Sequence, residues 1–284
     1  MTASVTVRHQ KIKNQNGKKK LLFFLLLAGL LMCAVILGNH ISPYDPDAQI
    51  FTVLEPPSLA HPAGTDRFGR DMLSRILVGL QTSVLSTLIL VMIITVAGTA
   101  VGILCGFRGG MADTLMMRVS DICLAFPGLV FALAIAALLD GGLQNAVLAL
   151  AVISWPKYAR IARSQTLSLK STDYIAAAQL AGDTSGQMIR RHILPNSAGP
   201  ILVTAVLDIG TMMMELAGLS FLGLGAMPPT AELGNMMSGG RSMLQTYPWV
   251  IIGPGIAIFT AVVIFNLLGD TVRDYLDPRN SRRT

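Results

Sequence analysis

The stretch of sequence that decides the fold is residues 84–106, VLSTLILVMIITVAGTAVGILCG, an apolar run without a charged side chain. A helix of about 20 such residues crosses the hydrocarbon core of a bilayer, which is about 30 Å thick. Five other runs are also long and mainly apolar: 21–38, 122–139, 143–161, 199–223 and 247–269. Inside lipid, only helices and closed barrels satisfy every backbone hydrogen bond, and these runs lack the alternation of a barrel strand. The sequence therefore predicts an all-α polytopic membrane protein with six transmembrane helices.

Composition agrees with a membrane protein and excludes several other classes. Apolar residues make up 52% of the chain and charged residues only 13%, whereas about 25% charged residues is usual in soluble domains. This excludes a disordered chain, a nucleic-acid-binding module and most soluble enzymes, so no nucleic-acid partner is expected. The cysteines Cys33, Cys105 and Cys123 are odd in number and lie in or beside apolar runs, which indicates no disulfide framework.

The basic residues predict the orientation of the spans. Six spans place both chain ends on one side of the membrane, and 18 of the 22 Lys and Arg residues fall on that side. The other side holds Arg67, Arg70, Arg75 and Arg241. Because positive charge is enriched on the cytoplasmic side, both termini are predicted to be cytoplasmic. The predicted layout has five parts: a basic cytoplasmic tail at 1–20, a first transmembrane helix at 21–38, an extracytoplasmic loop with an amphipathic segment at 39–83, a five-helix core at 84–269 with a cytoplasmic loop at 162–198, and a cytoplasmic tail at 270–284.

Three glycines inside the first run predict close helix packing. Gly98, Gly102 and Gly106 recur at every fourth position, so they share one face of a helix. The spacing predicts a tightly packed neighbouring helix and indicates nothing about transport.

The extracytoplasmic loop ends in alternating acids and bases, GTDRFGRDMLSR at 64–75. This alternation predicts a locally paired turn that leads into a helix. A solvated approach to the second span fits the same residues, so both interpretations stay open from the sequence.

The cytoplasmic loop at 162–198 carries the signals of two short helices. Thr172 or Asp173 can cap the first, the alanines at 176–178 favour it, and Gly182 can end it in a left-handed conformation. The second is predicted to begin after 183–185 and to end near Leu194, where Pro195 stops continuation. Their apolar side chains need cover from the bundle or from a partner. These side chains are Tyr174, Ile175, Leu180, Met188 and Ile189.

This loop resembles the signature loop of ABC-importer permeases, which carries a Glu-Ala-Ala segment, a glycine four residues further on and an Ile-x-Leu-Pro ending. The positions that match are Ala177, Ala178, Gly182, Leu194 and Pro195. Ala176 stands at the family's glutamate position and His192 at its isoleucine position. The resemblance implies that the loop couples the chain to an ATPase. The residues implied in coupling are Asp173, Tyr174, Ala176, Ala177, Ala178, Gly182, His192 and Pro195.

Further segments resemble the C-type permease subunits of dipeptide, oligopeptide and nickel importers. These segments are GTD at 64–66, GRD at 69–71, FP at 126–127, LSFLGLG at 219–225 and NLLGD at 266–270. The resemblance implies a type I ABC-importer permease with a MetI-like bundle in the bacterial inner membrane. The partners it implies are a homologous B-type permease subunit, two ABC ATPase subunits, an extracytoplasmic solute-binding protein and membrane lipid.

The chain lacks the Gly-x-x-x-x-Gly-Lys-Ser/Thr pattern that cradles ATP phosphates. ATP and magnesium are therefore expected in separate ATPase subunits, and no cofactor is expected in this chain. No catalytic residue is predicted either, because the sequence shows no nucleophile–base set and no clustered metal ligands.

Two carboxylates in the fifth span are the candidates for the translocation path. Asp208 and Glu215 are seven residues apart, which places them near one helix face, and Met212 lies between them. Carboxylates inside a membrane are costly and usually face a cavity or a partner. The sequence predicts a pathway wall that attracts a cation or a zwitterion, and the alternative is a buried hydrogen bond to a neighbouring helix or subunit.

The cargo prediction rests on one local difference. Peptide-importer relatives usually carry a glutamate three residues before LSFLGLG, and this chain has Leu216 there. The surrounding pattern looks closer to nickel-type permeases, which favours nickel or a metal chelate, with a dipeptide or oligopeptide as the alternative. The four histidines do not show a metal-ligand spacing, so the position of any metal stays unknown.

An ion-coupled secondary transporter is the alternative from another class. Asp208 and Glu215 would then form a proton relay, and no ATPase would be needed. Such transporters often contain inverted repeats, and the sequence shows no internal repeat.

Overall fold

Ten α-helices form in a computed structural model that describes residues 2–276. In chain order they are α1 Thr2–Ile41, α2 Met72–Arg108, α3 Gly110–Ala125, α4 Gly128–Leu138, α5 Leu143–Lys170, α6 Asp173–Leu180, α7 Ser185–Met188, α8 Leu194–Phe221, α9 Leu233–Gly240 and α10 Trp249–Leu276. A π-helical turn, Ile189–Ile193, joins α7 to α8, and a 3-10 turn, Arg241–Met243, follows α9. No strand forms within residues 2–276, so the predicted all-α fold is confirmed. From residue 277 onward, the predicted cytoplasmic tail lies outside the described residues.

Four helices of the described part are long and apolar enough to cross a membrane: Lys18–Ile41, Met72–Arg108, Ser185–Phe221 and Trp249–Leu276. The pair α3 and α4 makes a fifth span if both parts cross together. α5 covers the predicted span at 143–161, but its second half carries charged side chains and it does not belong to this set. Each predicted span thus coincides with one helix or with the bent pair.

A sharp bend divides the predicted third span at 122–139. The axes of α3 and α4 differ by 97°. Phe126 ends α3 in an extended conformation with φ −104° and ψ 150°, and Pro127 precedes α4. The residue before a proline avoids the helical conformation, and proline has no backbone N–H to donate. The predicted third span is therefore a bent pair of helices, broken at Pro127.

The second helix of the loop at 162–198 does not end at Pro195, in contrast to the sequence prediction. α7, the π-helical turn and α8 form the continuous helix Ser185–Phe221. In a regular α-helix the ring of Pro195 would clash with the carbonyl of Arg191. The π-helical turn ends with the Leu194 N–H donating to the Ile189 carbonyl, and its wider backbone accommodates the proline.

The glycine face of α2 packs directly on α5, which confirms the predicted close contact. A Cβ atom on Gly98 would lie 2.6 Å from the Cβ of Tyr158, and one on Gly102 would lie 2.8 Å from the Cβ of Ala162. Gly106 faces Thr166 in the same way. These helices come so close because three successive turns of α2 present no side chain.

The segment before α2 is a buried network of paired charges. Asp66 accepts hydrogen bonds from the Arg70 side chain, and Asp71 caps α2 by accepting from the Ser74 N–H at 2.7 Å. Arg75 is only 3% exposed and donates to Asp47 and to the Pro229 carbonyl. The residues form the paired turn, one of the two interpretations that the alternating sequence allowed, and this turn joins the preceding loop to α2.

Candidate functional site

The loop between α5 and α8, which the sequence predicts to be cytoplasmic, folds into a short helical hairpin. α6 begins after Thr172, whose hydroxyl donates to the Leu169 carbonyl and does not cap the helix. The helix ends at Leu180, and Gly182, two residues later, adopts the predicted left-handed conformation with φ +91°. Thr184 then caps α7 in a reciprocal arrangement with Gln187.

One face of this hairpin packs on the bundle and the other is open. Ile175, Met188 and Ile193 are buried. Tyr174 and Leu180 are 43% and 90% exposed. The bundle therefore buries only some of the apolar side chains of the hairpin that the sequence predicted to need burial. The open face also carries other residues implied in coupling, namely Asp173, Ala176, Ala177 and Gly182.

His192 and Asp183 form a contact across the hairpin. The His192 Nε2 atom lies 3.0 Å from the Asp183 Oδ2 atom, and the Arg191 Nη1 atom lies 3.8 Å from the Oδ1 atom. The ring of His192 also lies beside the ring of Tyr174, with the two ring centroids 6.2 Å apart. The residue at the family's isoleucine position therefore makes a polar contact within the loop.

Asp208 is held by two side chains of α5. The Lys157 Nζ atom donates to Asp208 Oδ1 at 2.6 Å, and the Tyr158 hydroxyl donates to Oδ2 at 2.9 Å. The Asp208 side chain is 6% exposed, whereas that of Lys157 is 51% exposed. This is the buried interhelical hydrogen bond that the sequence left open as an alternative for Asp208.

Glu215 differs from Asp208 in its surroundings. It is half-buried, and no hydrogen bond or ion pair reaches its carboxylate from any described residue. Thr211 and Met214, on the same side of α8, are exposed, while Met212 is buried. Of the three candidate path residues, Glu215 therefore has the accessible polar group.

No group of three or more His, Cys, Asp and Glu side chains within the described residues could hold a metal ion. His61 lies against Asp71 in the segment before α2, and His192 lies against Asp183 in the hairpin. Each of these two histidines therefore makes a polar contact with one carboxylate.

Residues 98–282 match the family described as "Binding-protein-dependent transport system inner membrane component". This match covers more than half of the chain and includes the hairpin and α8. The chain belongs to that family.

Curated members of the family match almost the whole chain. The dipeptide transport system permease protein DppC of Haemophilus influenzae is 39% identical over 94% of this chain and 92% of its own length. The probable D,D-dipeptide transport system permease protein DdpC of Escherichia coli is 43% identical over 88% of this chain and 84% of its own length. The glutathione transport system permease protein GsiD of Pectobacterium atrosepticum is 41% identical over 91% of this chain and 85% of its own length. The chain is thus a C-type permease subunit of an ABC importer, as the sequence motifs predicted.

The fold of this permease agrees with a solved relative. The inward-facing methionine ABC transporter MetNI matches with a TM-score of 0.57 and 21% identity, over 72% of this chain and 97% of that one. The MetI-like architecture is therefore confirmed. The family and the apolar helices together make the chain a multi-pass protein of the inner membrane.

Two residues of the site were not predicted from the sequence. Lys157 and Tyr158 follow the Trp155-Pro156 pair at the end of an apolar run, which was the only local signal. Their role depends on Asp208, which lies about 50 residues further on. A contact over that distance depends on how α5 packs against α8, and no spacing rule predicts it.

Proposed function

We propose that this chain forms half of the translocation path of an ATP-driven importer of short peptides. The similarity to dipeptide and glutathione permeases along most of their length carries the proposal. The preference for nickel or a metal chelate depended on Leu216 alone. A difference at one position weighs less than agreement along most of the chain, so the peptide alternative is favoured over nickel.

The proposed assembly contains four further subunits. A homologous B-type permease completes the path, two ABC ATPases bind the cytoplasmic side, and a solute-binding protein delivers the cargo from outside. Both termini of this chain then lie in the cytoplasm, as the distribution of Lys and Arg indicates. Catalysis of ATP hydrolysis belongs to the ATPase subunits, which also bind ATP and magnesium.

The open face of the hairpin is the proposed docking site for an ATPase. Tyr174 and Leu180 supply exposed apolar surface there, and small residues at 176–178 leave room for a partner. Because Ser185–Phe221 is one continuous helix, a displacement of the hairpin moves the cytoplasmic end of a membrane span. ATP-driven closure of the ATPases can then rock the permease between inward-facing and outward-facing states.

Glu215 is proposed to supply the negative charge of the translocation path. Lys157 neutralises Asp208, so the group of three charged side chains keeps one net negative charge, which lies at Glu215. A carboxylate inside a membrane must face water, a partner or a cation. We assign Glu215 to attracting the ammonium group of a zwitterionic peptide, with Asp208 and Met212 forming the wall behind it.

Reconstitution of the complete complex tests the proposal. The complex is placed in liposomes with its own binding protein, and uptake of dialanine, glutathione and Ni²⁺ is measured with and without ATP. We expect ATP-dependent uptake of at least one of the two peptides and none of Ni²⁺. Uptake of Ni²⁺ alone would overturn the peptide assignment, and peptide uptake without ATP would support a secondary transporter.

Gly182→Val is expected to uncouple ATP hydrolysis from uptake. A β-branched residue at φ +91° costs about 1–3 kcal/mol of backbone strain, so the turn after α6 must rearrange. We expect ATP hydrolysis by the assembled complex to continue while peptide uptake per ATP falls severalfold. Gly186→Val is the matched control, because a Cβ there meets nothing within 4 Å and Gly186 does not have a positive φ. Equal coupling in the two variants would show that the turn does not transmit motion.

A further inference from the structure

The hairpin contains one polar contact that neither the apolar packing nor the docking face explains. Asp183 follows the left-handed turn, and His192 lies nine residues later in the π-helical turn. Their side-chain atoms approach to 3.0 Å, and both side chains are partly shielded from solvent. A hydrogen bond between a carboxylate and an imidazole is one of the stronger polar contacts in proteins.

His192 lies within the π-helical turn Ile189–Ile193. A π-helical turn adds one residue to a turn of the helix, so it changes the directions of the side chains relative to a regular α-helix. The contact between His192 and Asp183 is therefore made from an irregular part of the continuous helix.

His192 contacts both ends of α6. Its Nε2 atom lies against Asp183, just after α6, and its ring lies against Tyr174, in the first turn of α6. His192 itself belongs to the continuous helix Ser185–Phe221. One side chain therefore links the exposed helix of the hairpin to the base of a membrane span.

We propose that the Asp183–His192 pair is a positioning pair, which makes α6 and the base of α8 move as one unit during transport. This inference rests on the proposed coupling role of the hairpin. Neither side chain touches nucleotide or cargo, so the pair acts through the geometry of the loop. Ala176 leaves the family's glutamate position without a carboxylate, and Asp183 supplies a carboxylate at the other end of α6.

His192→Leu and His192→Gln in the complete reconstituted complex test the positioning role. Glutamine keeps an N–H donor close to the position of Nε2, whereas leucine removes the donor. We expect His192→Leu to lower the dialanine imported per ATP about tenfold or more, which is the effect of losing a hydrogen bond to a charged group in one of two states. We expect His192→Gln to restore most of the coupling.

Asp183→Asn provides a second measurement if His192→Leu fails to assemble. Asparagine keeps an acceptor but removes the charge, which weakens the hydrogen bond, so coupling should fall, though less than in His192→Leu. The inference is overturned if either His192→Leu or Asp183→Asn couples as well as the unsubstituted complex. If the unsubstituted complex itself imports nothing with ATP, the proposed function fails, which is a different outcome from an unchanged variant.

Discussion

Gly102→Leu is expected to destabilise the folded bundle by about 3 kcal/mol, since overpacking a well-packed contact costs about 1–3 kcal/mol and the neighbours here include a rigid backbone. A Cβ atom at Gly102 would overlap the backbone carbonyl of Ala159 and lie 2.8 Å from the Cβ of Ala162. The backbone of α5 cannot move aside without losing its contacts with the remaining helices. Thermal unfolding of the detergent-purified complex, monitored by size-exclusion chromatography, measures the change in stability.

Gly29→Leu is the matched control for this prediction. Gly29 also lies inside a long helix, but a Cβ there meets nothing within 4 Å. We expect the control to leave the midpoint of thermal unfolding unchanged within a few degrees. If Gly102→Leu and Gly29→Leu unfold at the same temperature, the contact between α2 and α5 does not support the fold as described.

Glu215→Gln is expected to lower peptide uptake at least about tenfold while the complex stays folded, because a tenfold change corresponds to about 1.4 kcal/mol of lost attraction. The glutamine has nearly the same shape and removes only the negative charge. No described side chain bonds to Glu215, so its loss leaves no partner unsatisfied. Initial rates of ATP-dependent uptake in liposomes, with the binding protein at saturation, give the measurement.

Asp208→Asn is the contrasting variant on the same helix. Lys157 and Tyr158 both donate to Asp208, so removing its charge is expected to cost about 1–3 kcal/mol of stability. Lys157 is half-exposed and can turn to water, which keeps the cost below that of a fully buried pair. If Asp208→Asn lowers uptake without a loss of stability, or Glu215→Gln unfolds the complex, the two roles assigned here are reversed.

The two carboxylates illustrate what a spacing pattern can predict. Their separation of seven residues placed Asp208 and Glu215 near one helix face, and both do lie along α8. The pattern could not separate their roles, because the difference comes from Lys157 and Tyr158 on another helix. A local rule describes one helix, whereas the charge balance of the site depends on which helices meet.

The ends and breaks of helices were predictable only where their cause is local to one residue. Gly182 adopts its left-handed turn because the required conformation is local to one residue. Pro127 breaks its helix, whereas Pro195 lies within a continuous one. The sequence around a proline does not specify whether the chain bends or widens into a π-helical turn, since the packing of neighbouring helices decides between them.

The sequence by itself determined the class of this protein: apolar runs of membrane-spanning length, basic residues mainly on one side, and a glycine face that requires a close neighbour. These features are local. The apolar runs and the basic residues depend on the water or lipid around their own segment, and the glycine face depends on three residues that have no side chain. Only the tertiary structure decided that α5 is the neighbour of the glycine face, that Asp208 is paired while Glu215 stays accessible, and that His192 reaches Asp183. Each of these contacts depends on the relative position of two segments. The segments are distant in the chain or joined by an irregular helical turn, and their relative position follows from the packing of the whole bundle.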